Sequence, residues 1–301
     1  MKKKIDIAFL GGDRRQYCTA SMINKEIFNI GVWGLDSVEN TFEHIAMHEE
    51  CSELISNASC IVLPLPSTMD GVWLHTPLLS REEKKKRLTD ILDLMNGKSI
   101  IIGGKIPKEF RALAEEKGIS VFDYSESEDF QIQNAYLTAE AALSIAMNQL
   151  NTSIADSKFA ILGYGRIAKN LAKLLLCFGA DVTVFARKES DLAWAGIIGC
   201  KCKKIDSSCE GCFKGLLEGF DVIYNTIPIR LLDFDVLCEI GNKPFIIDLA
   251  SLPGGVDIRS AKELGSNVLW ATSLPGKYAP HSAGGLIADW IEKVLESEVR
   301  R

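Results

Sequence analysis

Short apolar runs alternate with stretches of helical spacing along most of the chain. In the first half, apolar runs predict strands at Ile5–Leu10, Ile30–Gly34, Cys60–Leu65, Ser99–Ile102 and Ile119–Phe122. Helical spacing between them predicts helices at Arg14–Phe28, Glu82–Met95 and Pro107–Lys117. Strands that alternate with helices indicate a parallel sheet with helices packed on it.

A long helix is predicted at Asn134–Leu150, after which the alternation resumes. Its strands are expected at Lys158–Leu162, Asp181–Phe185, Asp221–Asn225, Phe245–Leu249 and Asn267–Ala271. The pattern therefore predicts an α/β protein with two doubly wound, parallel-sheet, Rossmann-like domains joined by a long linking helix. We expect a first domain at 1–130 and a second, with the linking helix, at 131–284. The C-terminal helix, at 285–301, is expected to pack back on the first domain.

A glycine fingerprint opens the second domain. Gly163, Gly165 and Ala168 follow the G-x-G-x-x-G/A pattern between a predicted strand and a predicted helix. In dinucleotide sites the first position permits a tight turn, the second lets the pyrophosphate approach, and the third allows close packing of the helix. A turn that binds nothing is the alternative, but the strand–turn–helix–strand context favours a nucleotide. The predicted cofactor contacts are Gly163, Tyr164, Gly165, Arg166, Ile167, Asn225, Thr226, Ile227, Pro228, Asp248, Leu249 and Ala250.

The end of the second fingerprint strand indicates which nucleotide is bound. An NAD site places Asp or Glu there to bind the ribose 2′-hydroxyl, whereas this chain has Ala186, Arg187 and Lys188. An arginine fork suits a 2′-phosphate. The sequence therefore predicts NADP, with a solvated loop as the alternative.

Composition and charge exclude several classes of partner. The chain has 301 residues, 47% of them hydrophobic, which suffices for two cores, and a net charge of −6, which disfavours nucleic acid. No apolar run reaches the roughly 18 residues of a membrane helix. The start, with its short apolar run before Asp13, is interpreted as a strand rather than a signal peptide, so a cytoplasmic location is expected.

Nine cysteines are present, and four of them form the spacing C-x-C-x6-C-x2-C at Cys200, Cys202, Cys209 and Cys212. That spacing could hold zinc. Because the predicted fold needs no metal there and reduced thiols are expected, we predict that the group holds none.

Six motifs together resemble the family of dipicolinate synthase A subunits from spore-forming bacteria. They are "IAFLGGDRRQ" at 7–16, "TAEAALSIAM" at 138–147, "ILGYGRIAKNLA" at 161–172, "NTIP" at 225–228, "IIDLASLPGGVD" at 246–257 and "LPGKYAPHSAG" at 274–284. The glycine fingerprint alone fits many dehydrogenases, including D-2-hydroxyacid dehydrogenases. Its combination with the glycine pair near the start and with D-L-A-S-x-P-G-G is much more specific. The chain has His281 where the expected motif A-P-K-[ST]-A-G has lysine, so it departs from the family by carrying no permanent positive charge at that position.

The resemblance implies NADP-dependent oxidation of dihydrodipicolinate, or of hydroxytetrahydrodipicolinate, to dipicolinate during sporulation. It places the protein in the cytoplasm of the mother cell and implies that the flavoprotein-like B subunit of the synthase is its partner. A homo-oligomer is also expected. In this scheme the first domain binds the substrate and the second binds NADP.

The dicarboxylate substrate requires cations and backbone amides, whereas the oxidation requires a base. Predicted substrate contacts are Gly11, Gly12, Arg14, Arg15, Ser251 and Lys277. Lys277 and His281 are expected on a loop after the last strand. For Arg14 and Arg15 the alternative is a pair of surface helix charges, and for His281 it is a residue without catalytic duty. Candidate bases are His281, Glu140 and Asp13, and the sequence does not choose among them.

Two other functions compete with this one. An NADP-dependent 2-hydroxyacid-type dehydrogenase would share the fold. It needs a substrate-binding arginine in the loop after the strand that ends near Ala250, and residues Ala250–Gly254 of this chain include no arginine. A non-catalytic NADP-binding scaffold for a partner subunit is the second rival, and nothing in the sequence excludes it.

Overall fold

A computed structural model describes residues 5–38, 44–97, 99–206 and 211–299 of the chain. The chain divides into two compact units. Unit 1 consists of Met1–Asn134 and Gly276–Arg301, and unit 2 of Ala135–Pro275. The end of the chain therefore returns to the unit in which it began.

Within the described residues, each unit contains one six-stranded parallel sheet. The strands are β1 (Ile5–Leu10), β2 (Phe28–Trp33), β3 (Ile45–His48), β4 (Cys60–Val62), β5 (Ile100–Gly103), β6 (Val121–Asp123), β7 (Lys158–Leu162), β8 (Asp181–Ala186), β9 (Lys201–Lys204), β10 (Val222–Asn225), β11 (Phe245–Asp248) and β12 (Val268–Trp270). β1–β6 belong to unit 1 and β7–β12 to unit 2.

Helices connect and cover the strands in both units. They are α1 (Arg14–Met22), α2 (Cys51–Asn57), α3 (Leu88–Leu94), α4 (Lys108–Glu116), α5 (Glu128–Gln149), α6 (Arg166–Cys177), α7 (Glu189–Ile197), α8 (Phe234–Cys238), α9 (Ile258–Glu263), α10 (Leu274–Tyr278) and α11 (Pro280–Val299). Short 3-10 turns lie at Glu82–Lys84 and Tyr124–Glu126. Among the described residues, no helix has the length and apolarity needed to cross a membrane.

The strand order is the same in the two units. Unit 1 runs β3-β2-β1-β4-β5-β6, and unit 2 runs β12-β11-β10-β7-β8-β9, which is the same order counted from its own first strand. The order reverses beside β1 in unit 1 and beside β7 in unit 2. In doubly wound sheets, ligands bind at the carboxyl ends of the strands at this point. The predicted fold class of two Rossmann-like domains is confirmed.

Both sheets are buried on their two faces, as their continuous apolar strands predict. Ile7 and Phe9 of β1 face one apolar cluster, while Ala8 and Leu10 between them face another. β7 behaves in the same way. Because β1 and β7 are packed on both faces, their carboxyl ends are held in place, and the glycine turn of each unit begins there.

One predicted helix is wrong. Glu82–Met95 is not continuous, because the chain passes from a 3-10 turn through an extended segment before α3 begins at Leu88. In that segment the Leu74 amide donates to the Lys86 carbonyl at 3.0 Å, and the Leu88 amide donates to the Val72 carbonyl at 3.0 Å. Pairing with a distant segment has replaced the local helical bonds.

Other differences concern shorter elements. α1 ends at Met22 rather than continuing to Phe28, and β3 and α2 were not predicted. The loop expected around Lys277 and His281 is largely helical, since it forms α10 and the first turn of α11.

Candidate functional site

The glycine turn of unit 2 begins at Gly163, directly after β7. Its φ is +91°, and its amide donates to the Phe185 carbonyl at 2.8 Å. A Cβ atom at this position would lie 2.6 Å from Oγ1 of Thr226. Only glycine therefore allows the ends of β7, β8 and β10 to approach so closely.

Gly165 and the start of α6 form an open, uncapped helix terminus. Gly165 is the N-cap residue, and no side chain caps the helix. A Cβ atom at Gly165 would meet nothing within 4 Å. Ala168, one turn into the helix, is fully buried, so α6 packs closely on the sheet. These features fit a dinucleotide, whose pyrophosphate would approach Gly165 and the first amides of α6.

Tyr164 and Lys169 flank this turn. Tyr164 is buried, and desolvation raises the pKa of its hydroxyl to about 12. The Lys169 ammonium lies 5.7 Å from the centre of its ring. Tyr164 therefore contributes to packing, and only its backbone is available to a phosphate. The exposed Arg166 and the partly exposed Ile167 complete the first turn of the helix.

Cations end the second strand of unit 2. Ala186 is buried, whereas Arg187 and Lys188 are exposed. In the described part of the chain, neither side chain has a hydrogen bond or ion pair. The nearby acid, Glu189, pairs instead with Lys204 at 2.6 Å. Two exposed cations at this strand end suit a phosphate on the ribose 2′ position.

Asn225 and Asp248 are buried at the ends of β10 and β11, where they hold the loops that follow. The Asn225 amide donates to an Asp248 carboxylate oxygen at 2.8 Å and to the Ile227 carbonyl at 3.0 Å. Asp248 also accepts from the amides of Ala250 and Gly255, at 3.1 and 2.8 Å. Both side chains are therefore fully engaged inside the protein.

The predicted cofactor contacts after β10 and β11 could therefore be made mainly by backbone atoms. The Thr226 hydroxyl donates to the Leu162 carbonyl at 2.8 Å, which joins the loop to the end of β7. Ala250 accepts from the Trp270 indole at 3.0 Å. Ser251 is exposed, and its carbonyl accepts from Gly254 at 2.8 Å in a tight turn. Leu249 is buried, and Pro228 lies in the exposed part of the β10 loop.

In unit 1 the corresponding turn is the glycine pair after β1. Gly11 and Gly12 have φ values of +64° and +93°. The Gly11 amide donates to the Trp33 carbonyl, and the Gly12 amide donates to the His75 carbonyl, both at 2.8 Å. A Cβ atom at Gly12 would lie 2.9 Å from Cβ of Pro64. The turn is therefore held between β2 and the segment after β4, at the point where the strand order reverses.

Asp13 and Arg15 form an ion pair at the start of α1. Asp13 caps the helix by accepting from the Arg15 amide at 3.0 Å. The Arg15 guanidinium, which is buried, donates to the two Asp13 carboxylate oxygens through Nε and Nη2, at 3.0 and 2.8 Å. It also donates to the Leu65 carbonyl at 2.6 Å. This arrangement occupies the groups through which Asp13 could act as a base and Arg15 could bind a substrate.

Arg14 differs from its neighbour. It is the first residue of α1 and is exposed. Over the ranges that the structure describes, its guanidinium has no hydrogen bond or ion pair. Of the two predicted arginines, Arg14 is therefore the one whose charge is available to a ligand.

Residues 276–284 lie beside the same helix. A Cβ atom at Gly276 would lie 2.6 Å from both Nε of Arg15 and a carboxylate oxygen of Asp13, and one at Gly284 would lie 2.7 Å from Cβ of Cys18. These approaches bring Gly276 of α10 against the start of α1 and Gly284 of α11 against its middle. Lys277 and His281 are both exposed on this segment. Sequence motifs separated by more than 250 residues are thus brought together in unit 1.

Glu140 is exposed on α5, one helical turn after Tyr136. Its charge is the main cause that raises the pKa of Tyr136. Glu140 therefore stays a predicted base on the exposed face of this helix.

The cysteine group is only partly described, because Cys209 lies outside the described residues. Burial raises the pKa of the Cys200 thiol to about 11. The Cys202 thiol donates to the Leu192 carbonyl at 3.2 Å. Among the described residues, no group of three or more His, Cys, Asp or Glu side chains could hold a metal ion.

Two polar side chains near the turn of unit 1 were not predicted. His75 lies in the segment after β4, and Nδ1 of its imidazole is buried without a hydrogen-bond partner among the described residues. The Tyr124 hydroxyl, just after β6, is likewise buried without one. Both interact electrostatically with Asp13 and Arg15. The sequence signal was weak: His75 is one of only four histidines, but it belongs to no recognisable motif.

Comparison with known proteins agrees with the motifs. Residues 6–125 match the family described as the N-terminal domain of the dipicolinate synthase A subunit. The chain is 29% identical to the A subunit of dipicolinate synthase from Bacillus subtilis (strain 168), over 97% of this chain and 96% of that protein. The crystal structure of the B. subtilis protein superimposes with a TM-score of 0.82 at 28% identity, covering 100% of this chain and 99% of that one.

Two further structures define how far the similarity extends. The A subunit of dipicolinate synthase from Bacillus halodurans has a TM-score of 0.83 at 26% identity, over 97% of each chain. D-lactate dehydrogenase from Escherichia coli has a TM-score of 0.57 at 11% identity, over 99% of this chain and 98% of that one, which shows a shared fold alone. The resemblance to dipicolinate synthase A subunits is confirmed, as is the relation of the fold to D-2-hydroxyacid dehydrogenases.

Proposed function

Starting from this confirmed resemblance, we propose that the chain is the NADP-dependent oxidoreductase subunit of a dipicolinate synthase. Its substrate is dihydrodipicolinate or hydroxytetrahydrodipicolinate, and its product is dipicolinate. The observation that carries this proposal is the open helix start beside Gly165 together with two cations, Arg187 and Lys188, that are unpaired among the described residues. These residues suit a phosphorylated dinucleotide, and the resemblance supplies the substrate.

Unit 2 provides the nucleotide site. The turn Gly163–Gly165 and the first amides of α6 bind the pyrophosphate, while Arg187 and Lys188 bind the 2′-phosphate. The loops after β10 and β11 contact the rest of the nucleotide through their backbone. Their buried side chains Asn225 and Asp248 are already bonded within the protein and hold these loops in place. When bound, NADP+ supplies the hydride acceptor.

Unit 1 provides the dicarboxylate site. Arg14 and Lys277 bind one carboxylate, in keeping with the strength of charge-assisted bonds. We assign His281, which is exposed on the same segment as Lys277, to the second carboxylate, because an imidazole N–H can donate to a carboxylate without a permanent charge. Gly11, Gly12 and Arg15 shape this site, because Arg15 holds Asp13 and the Leu65 carbonyl in place.

Aromatisation of the ring supplies much of the driving force. The chain must therefore fix the ring in one orientation and accept a proton from it. Asp13 is engaged by Arg15, which does not favour it as the base, whereas Glu140 is exposed on α5 beside Tyr136.

A hydroxyacid-type dehydrogenase is the closest rival, because it shares the fold. Such an enzyme needs an arginine in the loop after β11, and in Ala250–Gly254 that loop consists of apolar and small residues around the exposed Ser251. We therefore disfavour a 2-hydroxyacid substrate. A nucleotide-binding scaffold that catalyses nothing is the second rival.

Partner, oligomeric state and location belong to the same proposal. The matched proteins are A subunits of a synthase, so we propose that this chain assembles with the corresponding B subunit, expected to be flavoprotein-like, and forms a homo-oligomer. We also place it in the mother-cell cytoplasm of a sporulating bacterium.

Turnover by the purified chain tests the proposal. The substrate is generated enzymatically, NADP+ or NAD+ is added, and NADPH absorbance and dipicolinate absorbance are followed together. We expect both to rise in equal amounts with NADP+. Activity on 2-hydroxyacids instead would favour the dehydrogenase. Nucleotide binding without turnover, even when the flavoprotein-like partner is present, would favour the scaffold.

A further inference from the structure

His75 occupies the point in unit 1 where the strand order reverses. Its carbonyl accepts from the Gly12 amide at 2.8 Å, and its own amide donates to the Ser67 carbonyl at 2.9 Å. The backbone of His75 is thus bonded both to the glycine turn after β1 and to the segment that follows β4. Ligands of doubly wound sheets bind between the loops at these two strand ends.

The His75 side chain faces the same place. The imidazole is half-buried, and Nδ1 is enclosed without a partner among the described residues. The charged groups that act on it are Asp13 and Arg15, whose charges compensate each other in their ion pair. Arg15 is bonded to the Leu65 carbonyl, and the His75 ring interacts with the next carbonyl, that of Pro66.

Burial is the main cause that lowers the pKa of His75 below its ordinary value. An imidazole whose pKa is lowered is neutral at neutral pH: one ring nitrogen carries the N–H that a backbone carbonyl such as that of Pro66 can accept, and the other has a lone pair that can take up a proton. The other unpartnered group nearby is less suitable. The Tyr124 hydroxyl is fully buried, and desolvation raises its pKa far above the neutral range.

We infer that His75 is the catalytic base, which accepts the ring proton of the dicarboxylate substrate bound beside Arg14. The inference rests on the proposed function. In the oxidation of dihydrodipicolinate, one ring C–H bond breaks and its hydride passes to NADP+. A second ring-bound hydrogen leaves as a proton to the His75 imidazole, and its bonding electrons complete the aromatic ring. The substrate thereby loses one hydride and one proton, and the products are dipicolinate, NADPH and imidazolium.

Nitrogen-15 NMR of the imidazoles tests this without relying on turnover. The chain has only four histidines, so His75→Gln and His281→Gln assign the relevant signals in the full-length protein. Dipicolinate is then titrated into the unmodified protein. We expect the His75 signals to shift with ligand occupancy and its titration midpoint to move upward, because a dicarboxylate nearby favours imidazolium.

Two other outcomes separate the inference from the proposed function. If dipicolinate binds but the His75 signals and titration midpoint stay unchanged, the inference is overturned and the proposed function stands. If dipicolinate does not bind at all, the proposed substrate is wrong, and the inference falls with it.

Kinetics provide a second test, with His48→Gln as the matched control in the same unit. We expect His75→Gln to lower kcat about 100-fold or more, within the range for loss of a general base, while KM changes less than about threefold. The fall of kcat/KM at low pH, which reports protonation of the base, should disappear in His75→Gln and persist in His48→Gln. An unchanged low-pH fall in a folded His75→Gln protein contradicts the assignment.

Discussion

Arg15 and Asp13 are joined by a two-point ion pair, with Nε and Nη2 of the guanidinium lying 3.0 and 2.8 Å from the carboxylate oxygens. The pair is closed on its outer side by Gly276, where any side chain would collide with it. Arg14, its neighbour in sequence, points elsewhere because successive helical residues are about 100° apart. One arginine of the motif therefore stabilises the fold, while the other remains available to a ligand.

Arg15→Ala should destabilise unit 1 by about 2 kcal/mol, since charge-assisted bonds contribute roughly 1.5–3 kcal/mol and Asp13 would lose its partner. Arg14→Ala should change the free energy of unfolding by less than about 0.5 kcal/mol, as is usual for an exposed side chain. Urea unfolding of the two variants measures both values. Equal destabilisation by the two substitutions would contradict the assignment of roles.

The two fingerprint glycines should respond differently to substitution. Gly163→Ala should lower stability, because its Cβ would lie 2.6 Å from Oγ1 of Thr226 at a φ of +91°. Gly165→Val should keep the melting temperature near that of the unmodified protein, since the space around this position is open, but should abolish NADP binding by filling the pyrophosphate path. Thermal unfolding and calorimetric titration of both variants check this. Normal NADP affinity in Gly165→Val would disprove the proposed site.

Cofactor preference should depend on Arg187. Its replacement by Ala should weaken NADP(H) binding by about 10–100-fold, equivalent to about 1.4–2.8 kcal/mol, and leave NAD(H) binding nearly unchanged. Lys201→Ala is the matched control. Lys201 begins β9, the strand next to β8, and its ion pair with Asp181 lies at the amino-terminal ends of these strands, away from Arg187. Fluorescence titration with both nucleotides distinguishes the cases. A preference of the unmodified protein for NAD(H) would refute the assignment.

Stability should depend on pH through His75. Its pKa is lowered in the folded protein, mainly by burial, whereas in the unfolded chain it should be about 6.5. Between these two values the unfolded chain binds more protons, so stability rises with pH. This contribution is complete above about pH 6.5 and is lost as pH falls through the folded pKa.

His75→Gln should therefore flatten the pH dependence of the unfolding free energy in the acidic range. Denaturant unfolding at a series of pH values measures the slopes. Identical slopes in His75→Gln and the unmodified protein would show that His75 does not titrate with a lowered pKa.

Much of this fold could be predicted because its strands are apolar and its glycines are specific. Lys158–Leu162 was predicted to the residue, since a fully buried strand has a continuous apolar run. The edge strand Ile45–His48 was missed because three of its four side chains are wholly or partly exposed, which leaves little apolar signal. Glu82–Met95 has helical spacing, but contacts with residues 72–74 override it.

The site was predictable only at the level of motifs. The pattern G-G-D-R-R located a turn and a helix start, but it did not distinguish Arg14 from Arg15, because that depends on the Leu65 carbonyl and on Gly276, which are distant in sequence. Glu140 was a reasonable candidate on a helix whose exposed face was unknown. His75 could not be recognised, since its relation to Gly12 arises only when the segment after β4 folds against the first turn.

The central claim is that unit 2 binds NADP through Arg187 and unit 1 binds the dicarboxylate through Arg14. Calorimetric titration of Arg14→Ala and Arg187→Ala with both NADPH and dipicolinate tests it most directly. Lys108→Ala is the control, because Lys108 is also an exposed cation at a helix start, that of α4. We predict that Arg14→Ala weakens dipicolinate about 10-fold or more, as expected for one charge-assisted contact, and keeps normal NADPH affinity. Arg187→Ala should show the reverse, and Lys108→Ala should bind both ligands normally. Loss of both ligands in one variant, or normal dipicolinate affinity in Arg14→Ala, would contradict the account.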